Sequence, residues 1–536
     1  MRRASPVLWA SLAVVLPFVA WGVLAPTSLG EASAAARVAV VDRFGWFYLL
    51  VATAALVGVV AIAVSRLGRV RLGRDGDQPE YSTGTWFAML FSAGMGIGLV
   101  FWGVAEPVAH LTAPAVLEPG TDAAAREALR ASFFHWGLHP WAIYSALALA
   151  LALARFRHGE RGLVSTALRP VLGDRVDGPL GTVVDTVAVV ATVLGVATSL
   201  GLGAAQVAGG FGALTDAVPA TTAVQLAVIA VVTALFLASA LAGISRGIAR
   251  LSNVNMVLAG ALLLFVLVAG PTNALIGSFT STLGTYLTEL PSASLQTAPF
   301  DETRAAWING WTIFYWAWWM SWSPFVATFI ARVSKGRTVR EFVVGVLAVP
   351  TLLGGLWFAV FGGAGILAQQ GGTDLAGAAT EAQLFALLDT LPGGYVASVG
   401  AVILIVTFFI TSADSATYVL GSLTHRGADP TRPLILTWGL LISLSAAVLL
   451  LAGGLQALQT ASIVAALPFA VVLLLALVAV IRSLKDDPAA RKGTPAEPLA
   501  ASASTPAPPT DRGDDVVVVP DGDPVGDGRR DLAGQQ

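Results

Sequence analysis

Runs of apolar residues, each near the length needed to cross a bilayer, recur along almost the whole chain. A helix needs roughly 20 such residues to span the hydrocarbon layer. On that measure the chain reads as about twelve spans, at 6–28, 44–65, 84–109, 131–154, 178–209, 222–242, 252–276, 305–331, 341–368, 393–421, 432–453 and 461–482. Inside lipid each span must satisfy its own backbone hydrogen bonds, and only helices and closed barrels do this. The segments are too long and too evenly apolar for barrel strands. Of the 536 residues, 56% are hydrophobic and 12% charged, against about 25% charged in soluble domains. The expectation is therefore an all-α polytopic membrane protein.

Basic residues set the orientation. Arg66, Arg69, Arg71 and Arg74 follow span 2; Arg155, Arg157, Arg161 and Arg169 follow span 4; Arg246 and Arg250 follow span 6. Arg332, Lys335, Arg337 and Arg340 follow span 8, and Arg426 and Arg432 follow span 10. Every second connection is basic, which places both termini in the cytoplasm and the protein in the cell inner (plasma) membrane. Arg2 and Arg3 precede an apolar stretch that is long enough to span and lacks a clear small-residue cleavage site. From Lys485 the chain turns rich in Pro, Ala, Asp and Gly, with 10 acidic and 6 basic residues, so residues 485–536 read as a disordered acidic tail.

Several function classes drop out. A net charge of −2 gives no sign of a nucleic-acid partner, and with no cysteine there is no thiol nucleophile or zinc–thiolate site. HExxH and Walker patterns are missing, and the chain lacks a GxSxG that would support a nucleophile elbow, which disfavours an intramembrane enzyme or an ATP-driven pump. A resident cofactor is not expected.

Three spans are unusual. Span 3 carries Gly94, Gly96 and Gly98, each weakening a helix by about 1 kcal/mol relative to alanine. Close helix packing through small residues is one reading. A helix broken at mid-membrane is the other, and it would offer backbone N–H groups to an anion and carbonyls to a cation. Glu106, followed by Pro107, reads as the outer end of this span. Span 8 holds six of the 15 tryptophans, at 307, 311, 316, 318, 319 and 322. An interfacial belt would occupy one end of a helix, whereas these extend over nearly a full span, with Pro324 disturbing the helix. Deep indole faces suit a quaternary ammonium, which forms no hydrogen bonds; each stabilises it by about 0.5–2 kcal/mol when desolvated.

Span 4 adds Trp136, Trp141 and Tyr144, the last two on one helix face. His135 and His139 form an i,i+4 pair with no third metal ligand nearby in sequence, which favours hydrogen-bonding histidines. Span 10 contains Thr411, Ser412 and Asp414. The hydroxyls are oxygen ligands for a hard cation or helix–helix hydrogen bonds, and an intramembrane acid is a functional candidate.

At these motifs the chain resembles the betaine/choline/carnitine transporter family, and most closely its sodium-coupled glycine betaine symporters. The likeness rests on GMGIGLVFWGVAEP at 94–107, FHWGLHPWAIY at 134–144, WTIFYWAWWMSWSPF at 311–325, ARVSKGRTVREF at 331–342 and FFITSADSA at 408–416, and covers roughly residues 5–482. It implies a LeuT-like fold: two peripheral helices in 1–83, a five-helix repeat in 84–277, an extracellular connection in 278–304 and an inverted second repeat in 305–484. It implies a secondary active transporter working by alternating access, a homotrimer, and an aromatic box for the trimethylammonium group at Trp136, Trp141, Tyr144 and Trp319. Trp316, Trp318 and Trp322 would line the pathway or a second aromatic site, with Phe325 and Phe329 towards the cytoplasm.

The same resemblance implies sodium as coupling ion. One site would use Ser92, Met95, Phe408, Thr411 and Ser412. A second would use Thr192 and Phe325, with Val196 standing where another threonine is expected and Thr198 displaced along the helix. Choline-carrying relatives often have Asp where this chain has Gly98, so a zwitterion such as glycine betaine is the expected partner. A sodium-independent exchanger, or uptake of ectoine or choline, is the rival within transport.

Overall fold

The computed structural model describes residues 5–94, 96–215, 217–242, 245–425 and 429–491. Met95, Arg426, the side chains of Ser92, Arg246 and Arg250, and the tail from residue 492 lie outside the described residues. The described residues are helix, turn and coil, with an isolated antiparallel bridge between Arg71 and Thr338, and nine helices among them are long and apolar enough to cross a membrane.

The main helices run in order as α1 (Pro6–Leu24), α2 (Pro26–Val64), α3 (Thr83–Gly94), α4 (Ile97–Thr112), α5 (Asp122–Trp136), α6 (Leu138–Ala152), α7 (Pro179–Leu214), α8 (Thr222–Ala242), α9 (Ser245–Ala269) and α10 (Thr272–Ser294). There follow α11 (Glu302–Gly310), α12 (Thr312–Val333), α13 (Val339–Trp357), α14 (Gly363–Gln370), α15 (Gly394–Leu423) and α16 (Arg432–Asp486). α16 is two helices joined at a kink at Gly453 and Gly454, where φ/ψ of 174/20 and 59/−136 are not helical. Glycine is required at 454, because a positive φ is costly for any residue with a Cβ. The span read at 44–65 is the far half of a 39-residue helix, and the connection expected at 278–304 is helical to Ser294, within α10, which begins at Thr272 inside the span read at 252–276.

The break expected in span 3 is present: α3 ends at Gly94, Gly96 is extended, and α4 begins at Ile97. The disturbance expected at Pro324 is not a break. α12 runs through it, and the distorted residue is Trp311, between α11 and α12, whose φ/ψ of −112/−66 stays helical and whose N–H still reaches Trp307 O at 2.9 Å. Pro324 has no N–H for the carbonyl of Met320, and in lipid such a carbonyl must find another donor. The Ser323 hydroxyl takes that place at 2.7 Å.

The basic connections gather on one face. The link after α2 pairs backbone to backbone with the link after α12, through Leu72 N–H to Arg337 O, Gly336 N–H to Leu72 O and Val339 N–H to Val70 O, each 2.8 Å. The Arg157 guanidinium reaches Gly73 O at 2.7 Å, Asp75 at 2.8 Å and Asp487 at the end of α16. The connections 113–121 and 371–382 meet elsewhere, where Gln370 Nε2 donates to Gly120 O at 2.9 Å.

Candidate functional site

Helix interruptions bring the aromatic residues together. Gly137, between α5 and α6, has φ/ψ of −93/−129. A Cβ there would lie 2.5 Å from Phe133 O and 2.7 Å from the Tyr286 hydroxyl, so only glycine fits. The amide released at Leu138 donates to that hydroxyl at 2.9 Å; α10 thus satisfies the break in α5–α6. Trp136 closes one helix, and Trp141 and Tyr144 stand on the next.

All four residues of the expected box are buried and adjoin. Trp319 lies edge-on to Trp136 with ring centroids 4.8 Å apart and to Tyr144 at 6.3 Å, and Trp141 meets Tyr144 at 5.6 Å. Trp318 stacks on Trp319 at 4.9 Å with planes 15° apart. Trp316, roughly 200° around the helix from Trp318, faces away from that stack and lies flat on His139 at 5.0 Å. Trp322 is half-buried and meets Phe325 edge-on at 5.5 Å, while Phe329 is exposed.

The broken span 3 touches this cluster through its glycines. A Cβ on Gly98 would fall 2.5 Å from Trp318 Cη2 and 3.2 Å from Trp136 Cη2; one on Gly96 would meet Trp322 Cη2 at 3.9 Å. Gly98 is therefore a close-packing position, and an aspartate there requires the indoles to move first. Gly98→Ala is expected to raise the apparent KM for the solute tenfold or more. Trp318→Phe, which removes the clashing ring, should recover part of that loss in the double variant. Unchanged uptake kinetics in Gly98→Ala would contradict the contact.

Glu106 corrects the reading of it as a span end. α4 continues past it to Thr112, and the side chain is fully buried. Trp136 Nε1 and the Tyr315 hydroxyl donate to Oε2 at 2.8 and 2.5 Å; His135 Nδ1 and His110 Nε2 stand 2.7 and 3.3 Å from Oε1. His135 Nε2 faces the Thr312 hydroxyl at 3.0 Å, and the Trp319 indole donates to His135 O at 3.0 Å. One carboxylate thus gathers α4, α5 and α12, and two box indoles hang from this network. The hydrogen-bonding role expected for His135 matches these contacts. Glu106, His110 and His135 present ligand atoms within 4.8 Å of one another, and hydrogen bonds account for their contacts. His139 is not among them.

On α15, Phe408 is buried, and the Thr411 hydroxyl donates to Thr407 O at 3.0 Å and accepts from Asn255 Nδ2 of α9 at 3.2 Å. Asn255 is a neighbour of the expected sodium site that sequence reading missed. Ser412 is half-buried and Asp414 buried on the same helix. Thr192 donates to Ala188 O at 2.8 Å within α7, and Val196 is fully buried. The Thr198 hydroxyl is engaged by α16, 2.8 Å from Leu458 O and 2.9 Å from the Ser462 hydroxyl; its role here is helix packing.

A buried box of aromatic faces without a charge at its centre can hold a methylated cation, and the broken backbone beside it can hold the anionic end of the same molecule. Comparison with known proteins gives a match over residues 6–489 to the family described as BCCT, betaine/carnitine/choline family transporter. A protein of Bacillus subtilis named glycine betaine transporter OpuD is 50% identical over 491 residues, covering 91% of this chain and 96% of its own. An ectoine/hydroxyectoine transporter of Virgibacillus pantothenticus is 43% identical over 90% of this chain and 96% of its own. A glycine betaine/proline/choline transporter of Vibrio parahaemolyticus is 42% identical over 84% and 85% respectively.

Proposed function

This chain belongs to the betaine/carnitine/choline family of transporters, and we propose that it takes up a zwitterionic compatible solute, glycine betaine or a close analogue, driven by sodium. The observation that carries the solute assignment is the box itself: Trp136, Trp141, Tyr144 and Trp319, buried together from two interrupted helices. Rings at these distances stabilise a trimethylammonium group by cation–π attraction, where a hydrogen-bonding site would offer it nothing. Gly98 adds no charge to the box, which favours a solute of zero net charge. The backbone around Gly96, extended between Gly94 at the end of α3 and Gly98 in the first turn of α4, would receive the carboxylate.

Sodium would lie beside that unwound segment, on Ser92, Met95, Phe408, Thr411 and Ser412. Support comes from the two hydroxyls of α15 and from the absence of a basic residue among these five positions. The second site at Thr192 and Phe325 is weaker, because Val196 brings no oxygen and Thr198 is bound to α16.

A LeuT-like pair of inverted repeats over 84–277 and 305–484 fits several parallels. The first span of each half departs from regular helix, by an extended residue at Gly96 and by a distorted helical one at Trp311. The second span of each half contains a π-helical turn, at Leu153–Arg157 and Phe358–Gly362. A count of twelve spans follows if α16 is taken as two, if α3–α4, α5–α6, α11–α12 and α13–α14 are taken as one each, and if α10, which is not among the helices apolar enough to cross, is left out. The face that gathers the paired arginines would be cytoplasmic, with both termini, in the inner membrane; a trimer is the proposed assembly.

The test is uptake of labelled glycine betaine into proteoliposomes with sodium or potassium outside. Accumulation should require the sodium gradient, and Thr411→Val should raise the sodium concentration for half-maximal uptake at least tenfold. Equal uptake in both salts would transfer the assignment to an exchanger. Competition by ectoine, proline, choline and carnitine identifies the preferred solute.

A further inference from the structure

The carboxylate that steadies the box also belongs to a ligand set. Glu106, His110 and His135 each turn one oxygen or nitrogen towards the others, and these atoms lie within 4.8 Å of one another. All three side chains are buried. Among the described residues no arginine or lysine pairs with Glu106, whose ion-pair contacts are the two histidines. With neutral imidazoles the trio carries one negative charge, which a dication offsets.

Hydrogen bonds hold these atoms together, but unevenly. His135 Nδ1 stands 2.7 Å from Oε1, a good hydrogen bond. His110 Nε2 stands 3.3 Å away, just beyond the usual range of about 2.7–3.2 Å. Its Nδ1 is buried with no partner, although buried polar atoms are as a rule paired. Zinc takes imidazole nitrogen and carboxylate oxygen tetrahedrally at about 2.0–2.2 Å, which sets neighbouring ligand atoms roughly 3.4 Å apart. The His110 pair already has that spacing, and the His135 pair has to open by only about 0.7 Å to reach it.

The surroundings suit the same ion. A metal-bound imidazole keeps its proton on the far nitrogen, steadied by a polar neighbour. For His135 that neighbour is the Thr312 hydroxyl, 3.0 Å from Nε2; it accepts or donates by turning about its own bond. On His110 no protein partner at Nδ1 opposes the same tautomer. The rings of Trp307 and Trp311 lie 4.9 and 4.5 Å from His110, and Trp307 stacks on His135 at 5.8 Å, an apolar wall on one side. The way in passes His110, which lines a cavity of about 260 Å³ between the end of α4, α5, α10 and α11. Two histidines and a glutamate are a set with which zinc keeps a fourth position for water.

We propose that Glu106, His110 and His135 form a binding site for a transition-metal dication of the zinc class. It is separate from the sodium positions and does not depend on the identity of the solute. Imidazole ligands favour zinc over calcium and magnesium, which take oxygen. On binding, each ring carries its proton on the nitrogen away from Glu106, and the metal takes the two freed lone pairs and Oε1. Oε2 keeps Trp136 and Tyr315, so the ion ties α4 to α5 with the anchor of the box in place.

The experiment is zinc titration of the tag-free full chain in lipid nanodiscs, in excess sodium, with X-ray absorption at the zinc edge. One ion per chain should bind, with two imidazoles on the metal, and excess calcium should not displace it. His110→Gln, which can still hydrogen-bond Glu106 but offers no imidazole, should weaken binding by about a hundredfold or more. His158→Gln, on a connection far along the chain from this cluster, should leave it unchanged. Zinc should raise the unfolding temperature of the intact chain and not that of His110→Gln. No binding below millimolar zinc, fewer than two imidazoles on the metal, or equal affinity in His110→Gln would each overturn the site. If His110→Gln does not fold, the absorption spectrum of the intact chain decides alone.

Discussion

Trp319→Ala is expected to raise the apparent KM for glycine betaine roughly thirty- to a hundredfold. A desolvated indole contributes on the order of 2 kcal/mol to a quaternary ammonium, and each 1.4 kcal/mol is tenfold in affinity. Trp319 also touches Trp136 and Tyr144 and stacks on Trp318, so its loss loosens three neighbours as well. Trp319→Phe should be milder, keeping a ring but losing the indole N–H that reaches His135 O. Uptake kinetics in proteoliposomes decide the matter: a KM within twofold of the parent in Trp319→Ala removes this residue from the box.

Glu106 is expected to be nearly as sensitive, for a different reason. Glu106→Ala leaves the Trp136 indole, the Tyr315 hydroxyl and His135 without their shared acceptor. Each buried unpaired group costs about 1–3 kcal/mol. The variant should therefore lose thermal stability and retain at most a few per cent of uptake. Glu106→Gln keeps the shape and one acceptor oxygen, so it should fold while its KM rises about tenfold, because the Trp136 indole is no longer fixed. A split between the two, with stability lost in one and KM raised in the other, separates holding the fold from orienting the box. Wild-type KM in Glu106→Gln would show that Trp136 is held by packing alone.

Much of this arrangement is legible in the residue order. The apolar runs mark the spans, because a bilayer demands a fixed length of uncharged helix. The alternating glycines at 94–98 announce the break that is found there, since a helix buried in lipid has little use for three residues that weaken it. The tryptophan-rich stretch points to a deep aromatic cluster, and its box residues do come together. Glu106 was not legible. A glutamate before a proline near the end of an apolar run has the local signature of a helix boundary, and its four partners come from α5 and α12 as well as α4. The break at Gly137 was hidden for the same reason: what makes it necessary is Tyr286, nearly 150 residues away. Pro324 misled in the opposite direction. Proline usually ends a helix, and only the neighbouring serine, bonded backwards to Met320, lets this one continue.

That serine bond has a mechanical corollary. A rung made by a side-chain hydroxyl can be exchanged or released without freeing a main-chain amide, because residue 324 has none to free. Bending at this point therefore sacrifices less than bending anywhere else along the same rod. The stacked indoles of Trp318 and Trp319 lie on one side of it and the basic terminus at Arg332 on the other. A bend here would tilt the segment that follows Pro324 without disturbing the hydrogen bonds of the turns that carry the rings.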